Sequence, residues 1–447
     1  MSEEATLDEF AEPAHSGDSQ ERQETPIGEL PTNWGVEWLK DVVKINPDGF
    51  SEDDWPSEMF EYISLSEASD GEIEESQTTP VEDAPSRAQR TVQEGDILVG
   101  TVRPKQRSHG FVSEEHAEKI CSSGFGVLRP GTRLNSRYLL QEVLSNRFFS
   151  QMEAYVAGSG YPAVKISDLK KHRVAIPPLP EQRKITTVLY TIDRAIEKTE
   201  ELVNQTERVK TGLTQDLLKR GINNQQMVET DSRFGSLPET WELRPLKEVS
   251  EIAGRTAPEK DDTECWGGDI PWATPSEITS LVGQTIDDTE EQLTELALDK
   301  VSSNLLPPMS VLMTTRATIG ECAVNTVEMT TNQGFKNIIP GKRLDTWYTY
   351  YRLDYEKDYL ASLSKGSTFP EVGKDTVENF VIPIPPLEEQ RKIGEKLRSV
   401  DEQILSYKEN KSQYERLKRG LMQDLLSGTV RTTDTNIEVP EEIAQYG

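Results

Sequence analysis

One block of sequence occurs twice in this chain with almost identical residues. Residues 177–185 (PPLPEQRKI) return as residues 385–393 (PPLEEQRKI), at an offset of 208 residues. The segment LPTNW at 30–34 likewise returns as LPETW at 237–241. A repeat that keeps its register over tens of residues indicates two copies of one structural unit. Any fold for this chain is therefore built twice, each time as a variable block followed by a long charged segment.

The charge of the chain sets a second constraint. Its 447 residues include 78 Asp and Glu against 49 Lys and Arg, for a formal net charge of −29. Acidic chains usually avoid nucleic acid, so this balance by itself argues against DNA binding. Two explanations stay open, namely adaptation of the surface to a salt-filled cytoplasm and an acidic functional surface. The crowding of carboxylates in surface-like stretches such as 51–82 favours the first.

The cysteines and histidines show no metal-site pattern. Cys121, Cys265 and Cys322 lie far apart without a C-x-x-C pair, as is typical of a reducing cytosol. His109 and His116 are close in sequence but lack further ligands nearby. The chain has no basic, apolar signal region at its start and no run of 18 apolar residues. We expect a cytoplasmic protein with no membrane segment.

Composition divides the chain into seven segments. We predict an acidic disordered tail (1–26), a first mixed α/β domain (27–176), a first helix (177–221), a linker (222–236), a second mixed α/β domain (237–384), a second helix (385–428) and a C-terminal tail (429–447). Apolar runs at 95–100 and 311–315 predict buried strands. The stretch 66–90 is so polar that we expect a loop there.

The two long segments carry the pattern of paired helices. Apolar residues recur in alternating steps of three and four from Ile185 to Leu217 and from Ile393 to Leu425. Proline precedes each segment, and Gly221 or Gly428 follows it, as at helix starts and ends. One apolar stripe is not stable alone in water, so antiparallel pairing is the simplest arrangement. The sequence predicts an α+β fold with two tandem mixed α/β domains separated by two long helices that pair as an antiparallel coiled coil.

Motifs for catalysis are missing from the sequence. No G-x-x-x-x-G-K-[ST] loop for ATP occurs, and no Asn/Asp-Pro-Pro-aromatic motif of an amino-methyltransferase. The four scattered histidines suggest no Ser/His/Asp arrangement. We therefore expect a protein that is not an enzyme and has no cofactor of its own.

The doubled order of motifs resembles a known family. Two variable domains, each introduced by Leu-Pro-x-x-Trp and closed by Ile-Pro-Pro-Leu-x-Glu-Gln and a long helix, are similar to the specificity (S) subunit of Type I restriction-modification enzymes. The resemblance covers about residues 27–430, and the acidic composition suggests a halophilic archaeal source. The acidic stretches at the start of the chain and at 51–82 depart from it.

The resemblance implies a function and a set of partners. Each variable domain would be a target-recognition domain that reads one half of a split, asymmetric site in double-stranded DNA. The helices would act as a spacer and dock two methyltransferase (M) subunits, joined by restriction/translocase (R) subunits. S-adenosylmethionine, ATP and Mg are implied only for those partners.

Candidate DNA contacts are basic, amide and hydroxyl groups near the predicted strand ends and glycine-flanked loops. In the first domain they are Arg103, Lys105, Arg107, Arg129, Ser159 and Lys165. In the second domain they are Arg316, Asn332, Gln333, Lys336, Lys365, Ser367, Thr368 and Lys374. The alternative function is a non-catalytic scaffold with two protein-binding domains on a coiled-coil spacer. The divergence of the two variable blocks beside nearly identical helices favours two different DNA readers.

Overall fold

The computed structural model describes residues 21–51, 55–74, 76–156, 162–222, 225–254, 258–300, 305–316, 318–365 and 370–446. The chain forms two compact units, one of residues 1–196 with 413–447 and one of residues 197–412. The division passes through both long helices, so each unit holds one variable block with part of each helix.

The first unit is built on two four-stranded sheets, with strand orders β11-β10-β13-β4 and β8-β5-β12-β9. Its strands are β1 (Arg22–Thr25), β2 (Gly28–Pro31), β3 (Gly35–Trp38), β4 (Val43–Ile45), β5 (Met59–Ile63), β6 (Ala68–Ser69), β7 (Glu72–Ile73), β8 (Gln77–Pro80), β9 (Ala88–Thr91), β10 (Ile97–Gly100), β11 (His109–Phe111), β12 (Ile120–Ser122), β13 (Phe125–Pro130) and β14 (Arg173–Ile176). Its helices include α1 (Leu39–Val42), α2 (Ser136–Leu144), α3 (Asn146–Ala154), α4 (Ile166–Leu169) and the start of α5 (Leu179–Arg220).

The second unit repeats the first of these sheets with one more strand, in the order β18-β25-β22-β23-β20. Its strands are β15 (Met227–Glu229), β16 (Ser236–Pro238), β17 (Glu242–Pro245), β18 (Ser250–Ala253), β19 (Trp266–Ala273), β20 (Thr285–Ile286), β21 (Gln292–Leu293), β22 (Val311–Thr314), β23 (Cys322–Asn325), β24 (Thr330–Thr331), β25 (Phe335–Pro340) and β26 (Val381–Ile384). Its helices are α6 (Leu246–Val249), α7 (Pro275–Ser280), α8 (Glu295–Lys300), α9 (Thr346–Tyr355), α10 (Lys357–Ser362), α11 (Lys374–Glu378) and most of α12 (Leu387–Leu426).

The helix pair is antiparallel within each unit. In the second unit, residues 200, 207 and 210 of α5 form ion pairs with residues 411, 408 and 401 of α12, respectively. The residue number along α12 falls as the residue number along α5 rises. In the first unit, Asp193 and Lys418 form the same ion pair, at 2.5 Å, that Asp401 and Lys210 form at 2.7 Å in the second. Repeated sequence therefore gives repeated contacts, and the predicted α+β fold with long, antiparallel helices is confirmed.

A buried glutamine connects each long helix to its domain. The side-chain amide of Gln182 donates to the carbonyl oxygens of Pro177 (2.8 Å) and Arg133 (3.0 Å), and its oxygen accepts from the backbone N–H of Asn135 (2.8 Å). The second copy makes the same three bonds, at 2.8, 2.9 and 2.8 Å, with Gln390, Pro385, Arg343 and Asp345. Both glutamines are fully buried. Each one ties the helix start, the Pro-Pro entry and the turn before α2 or α9 together.

The neighbouring glutamate explains why Leu-Pro-x-x-Trp accompanies each long helix. Glu181 accepts from the indole N–H of Trp34 at 3.0 Å, and Glu389 accepts from that of Trp241 at 3.2 Å. Arg431, beyond the end of α12, also pairs with Glu181, at 2.6 Å. Segments far apart in sequence thus meet at one carboxylate in each unit.

The predicted tails differ from the structure where it describes them. Residues 1–20 lie outside the described residues, but Arg22–Thr25 form strand β1 against β2, inside the tail predicted to reach residue 26. In the C-terminal segment, helix α13 (Glu441–Ala444) buries Ile443 completely, and Asn135 donates its side-chain N–H to the Ile443 carbonyl at 2.9 Å. Backbone pairing and one buried apolar residue order segments that are polar in composition.

The polar stretch 66–90 is not simply a loop. It contains β6, β7, β8 and most of β9. Strand β8 pairs antiparallel with β5, with Pro80 opposite Met59 and Gln77 opposite Tyr62. These strands expose many side chains and show no apolar alternation, so the sequence pattern did not reveal them.

We predict that Gln390→Ala lowers the free energy of unfolding by about 2 kcal/mol, because one buried and two partly buried backbone groups lose their partner. Chemical denaturation measures this loss. Gln403→Ala is the matched control, since Gln403 is on the same helix but makes an exposed bond to Tyr407. An equal effect of the two substitutions would contradict the role given to Gln390.

Candidate nucleic-acid interface

In the first domain, three segments meet where strand β10 ends. Thr101 donates to the carbonyl of Gly124 both from its backbone N–H (2.8 Å) and from its hydroxyl (2.7 Å). The backbone N–H of Val164 donates to the Thr101 carbonyl at 2.8 Å. The strand end, the turn before β13 and the segment before α4 therefore form one fixed frame.

The second domain has the same frame where β22 ends. Thr315 donates to the carbonyl of Gly334 from its N–H (2.7 Å) and its hydroxyl (3.1 Å), and Val372 donates to the Thr315 carbonyl at 3.1 Å. The two frames share their backbone bonds and differ in the side chains that the adjoining loops carry. Most candidate contact residues lie in these loops.

A basic cluster lies at the frame of the second domain, around Glu371. Arg316 Nε lies 2.9 Å from one Glu371 carboxylate oxygen, and Lys336 Nζ lies 3.8 Å from the other. The backbone of Lys365 pairs with that of Glu371. Burial lowers the pKa of Lys336, Glu371 opposes that shift, and Arg316 and Lys374 lower the pKa further. Several cations thus face one carboxylate, which leaves the cluster locally positive.

The remaining described candidates of the second domain differ in availability. Asn332 uses its side-chain oxygen to accept from the N–H of Gly334 at 2.8 Å, so it shapes the turn. Gln333 beside it is exposed. Lys374 pairs with Glu378 on the same helix at 3.5 Å and is about half exposed.

Three candidates of the first domain are exposed near its frame. Arg103 has a left-handed backbone (φ 49°), and its N–H donates to the Pro162 carbonyl at 2.8 Å. The Lys105 side chain is 83% exposed and lies 3.8 Å from Glu153. Lys165 immediately precedes helix α4 and is also exposed.

Arg129, a candidate from the sequence, instead has structural partners. Its guanidinium donates twice to Asp96, both times at 2.8 Å, and once to Asp48 at 2.6 Å. The hydrogen bonds to Asp96 raise the pKa of Arg129 above its usual range. Since Asp96 is fully buried, this pair holds β13 against the loop before β10, and we expect no DNA contact from it.

Arg107 is also engaged with its own domain. It donates to the side-chain oxygen of Asn146 at 2.7 Å and to the Leu144 carbonyl at 3.4 Å, and it stacks 4.6 Å from the centre of the Phe149 ring. These contacts hold the loop against the end of α2 and the start of α3.

Three candidates, Ser159, Ser367 and Thr368, lie outside the described residues. Sequence reasoning missed Glu371, at the centre of the basic cluster. The repeat could have identified Glu371, because the 208-residue offset places it opposite Ala163. A carboxylate thus stands in the second copy where the first copy has alanine, in a region with several cations.

Within the described part of the chain, no group of three or more His, Cys, Asp or Glu side chains is placed to hold a metal ion. None of the described helices is both long and apolar enough to cross a membrane.

Comparisons with known proteins agree with the doubled frame. A family model described as "Type I restriction modification DNA specificity domain" matches residues 31–208 and 238–416. The type I restriction enzyme MjaIX specificity subunit of Methanocaldococcus jannaschii is 37% identical over 194 residues, which are 43% of this chain and 44% of that protein. The HindI specificity subunit of Haemophilus influenzae is 20% identical over 89% of this chain and 100% of its own length.

The fold has a counterpart among solved structures. A chain in a structure of a type I restriction-modification system superposes with a TM-score of 0.57 at 23% identity, over 90% of this chain and 99% of that one. Two tandem matches to the specificity-domain model define the class of the protein. The chain belongs to the Type I restriction-modification DNA specificity family, whose specificity subunits are DNA-recognition components and not catalytic ones.

We predict that Lys365→Ala and Lys374→Ala each reduce the slope of log affinity for duplex DNA against log salt by about 1, because each removes one phosphate neutralisation. Fluorescence anisotropy at several salt concentrations measures the slope. Lys342→Ala is the control, since exposed Lys342 follows the opposite end of β25 from the frame. If Lys365→Ala and Lys374→Ala gave the same salt slope as the control Lys342→Ala, the basic cluster would be excluded as a phosphate site.

Proposed function

We propose that this chain is the DNA-reading subunit of a Type I restriction-modification complex. Its first domain (27–176) and second domain (237–384) each read one half of a split, asymmetric site. The observation that carries this proposal is one backbone frame used twice with different loops, at Thr101 and at Thr315. A shared frame keeps the domains alike in fold, while loops that differ in side chains select different base sequences.

The proposal includes partners that perform the chemistry. Two methyltransferase subunits and restriction/translocase subunits would assemble with the chain in the cytoplasm, and would bring S-adenosylmethionine, ATP and Mg. The long helices, with their repeated Lys-Asp ion pairs, offer two similar docking surfaces for two copies of one subunit. The chain itself would contribute sequence recognition.

We predict that replacing residues 237–384 with the corresponding domain of a related specificity subunit changes one half of the methylated motif and leaves the other half intact. Each domain has its own sheet and its own core, so each should read independently. Methylome sequencing of cells with the complete complex gives the motif.

The reciprocal replacement of residues 27–176 is the matched control and should change the other half. Loss of both halves in either swap would show that the domains do not read separately. A complex without any sequence-specific methylation would instead favour a scaffold with two protein-binding domains.

We further propose that the acidic surface adapts the chain to a salt-rich cytoplasm, such as that of a halophilic archaeon. A net charge of −29 creates self-repulsion that dissolved salt screens. We expect the midpoint of thermal unfolding to rise by several degrees between 0.1 and 2 M KCl. A protein of near-zero net charge, measured alongside, corrects for general salt effects. An unchanged or falling midpoint would count against salt adaptation.

A further inference from the structure

The loop between β10 and β11 has an unusual backbone. Residues 101–108 connect these two antiparallel strands, and a single turn at Pro104–Gln106 lies between Arg103 and Arg107. Both arginines have φ of 49°, in the left-handed region that residues with side chains rarely adopt. Such conformations persist only where the surrounding structure enforces them, and they concentrate at functional sites.

Contacts with the end of helix α2 and with helix α3 hold this loop in place. Arg107 bonds to Asn146 and to the Leu144 carbonyl, and its guanidinium stacks on Phe149. The carbonyl of Arg107 accepts from the N–H of His109 at 2.7 Å, which fixes the start of β11. One end of the loop is therefore anchored on the domain, and the residues before it are presented in a set conformation.

The presented residues line a cleft of about 690 Å³ in the first domain. Arg103 and Gln106 belong to the loop. Arg87 immediately precedes β9, and Tyr62 lies in β5. The backbone carbonyl of Arg87 accepts from Ser123 at 2.7 Å, which fixes its position. Among the described lining residues, both charged side chains are arginines, although the chain as a whole is acidic.

These side chains have the chemistry of base readers. A glutamine amide can donate one bond and accept another at the edge of adenine, an arginine guanidinium can donate two bonds to the edge of guanine, and arginine also binds phosphate. In the second domain the equivalent loop carries Arg316, which is paired with Glu371, so the two loops differ in what they present.

We propose that the loop of residues 101–108 is the base-reading loop of the first domain. Arg103 and Gln106 contact base edges, Arg87 contacts a phosphate beside them, and Arg107 is a positioning residue that holds the loop. This inference rests on the proposed function of sequence-specific DNA recognition, and it adds Gln106 and Arg87 to the candidate contacts.

The test selects binding sites for the full chain from a random-sequence duplex DNA library. Gln106→Ala and Arg103→Ala should each relax the preference at one base position of one half-site by roughly tenfold, since a bidentate base contact accounts for discrimination of that order. The other half-site should stay unchanged. Gln93→Ala is the matched control, because Gln93 is an exposed glutamine before β10, at the end of that strand opposite to the loop, and does not line the cleft; it should relax no position.

Two further variants separate the assigned roles. Arg107→Ala should relax both positions read by Arg103 and Gln106, and Arg107→Lys should not restore them, because an ammonium cannot replace the guanidinium fork between Asn146 and the Leu144 carbonyl. Arg87→Ala should leave base preference intact and reduce the salt slope by about 1. Thermal unfolding checks that each variant keeps its fold.

The outcomes distinguish this inference from the proposed function. If the unaltered chain selects a split motif, and Gln106→Ala and Arg103→Ala leave that motif unchanged, the assignment of residues 101–108 as the base-reading loop is wrong. The proposed function then stands. If the unaltered chain selects no motif at all, the proposed function and this inference both fail.

Discussion

A single buried glutamine in each half of the chain holds a domain to its long helix. Gln182 and Gln390 each satisfy two carbonyls and one N–H that would otherwise be buried or partly buried without partners. A buried polar group without a partner is costly, so neither the turn nor the Pro-Pro entry can shift alone. The adjacent Glu181 and Glu389 extend this connection to the Trp of the opening segment. The rest of each unit is built on these junctions.

A fixed junction allows the variable parts of the protein to differ. The frames at Thr101 and Thr315 use backbone groups and a threonine hydroxyl, which place few demands on the neighbouring loops. The loop after β10 can therefore carry Arg103 and Gln106, while the loop after β22 carries Arg316 beside Glu371. Recognition residues placed on rigid elements keep their geometry, which specific base contacts require.

Local placement of charge reconciles DNA recognition with an acidic chain. Exposed charges more than about 10 Å apart are largely screened from each other in moderate salt. A cluster such as Arg316, Lys336 and Lys365 can therefore attract phosphate although the whole chain carries −29. A cation alone does not make a contact, however. Arg129 is bound by Asp96 and Asp48, so its charge is used inside the domain.

The sequence by itself determined the duplication, the long helices and the family, because these depend on local periodicity and a fixed offset. Helices α5 and α12 lie within the segments predicted at 177–221 and 385–428. Only the tertiary structure decided that Arg107 and Arg129 are held by their own domain and that the polar stretch 66–90 forms strands. Those outcomes depend on partners distant in sequence, such as Asn146 for Arg107 and Asp48 for Arg129. Folding of the chain brings such partners together, and no local sequence pattern predicts them.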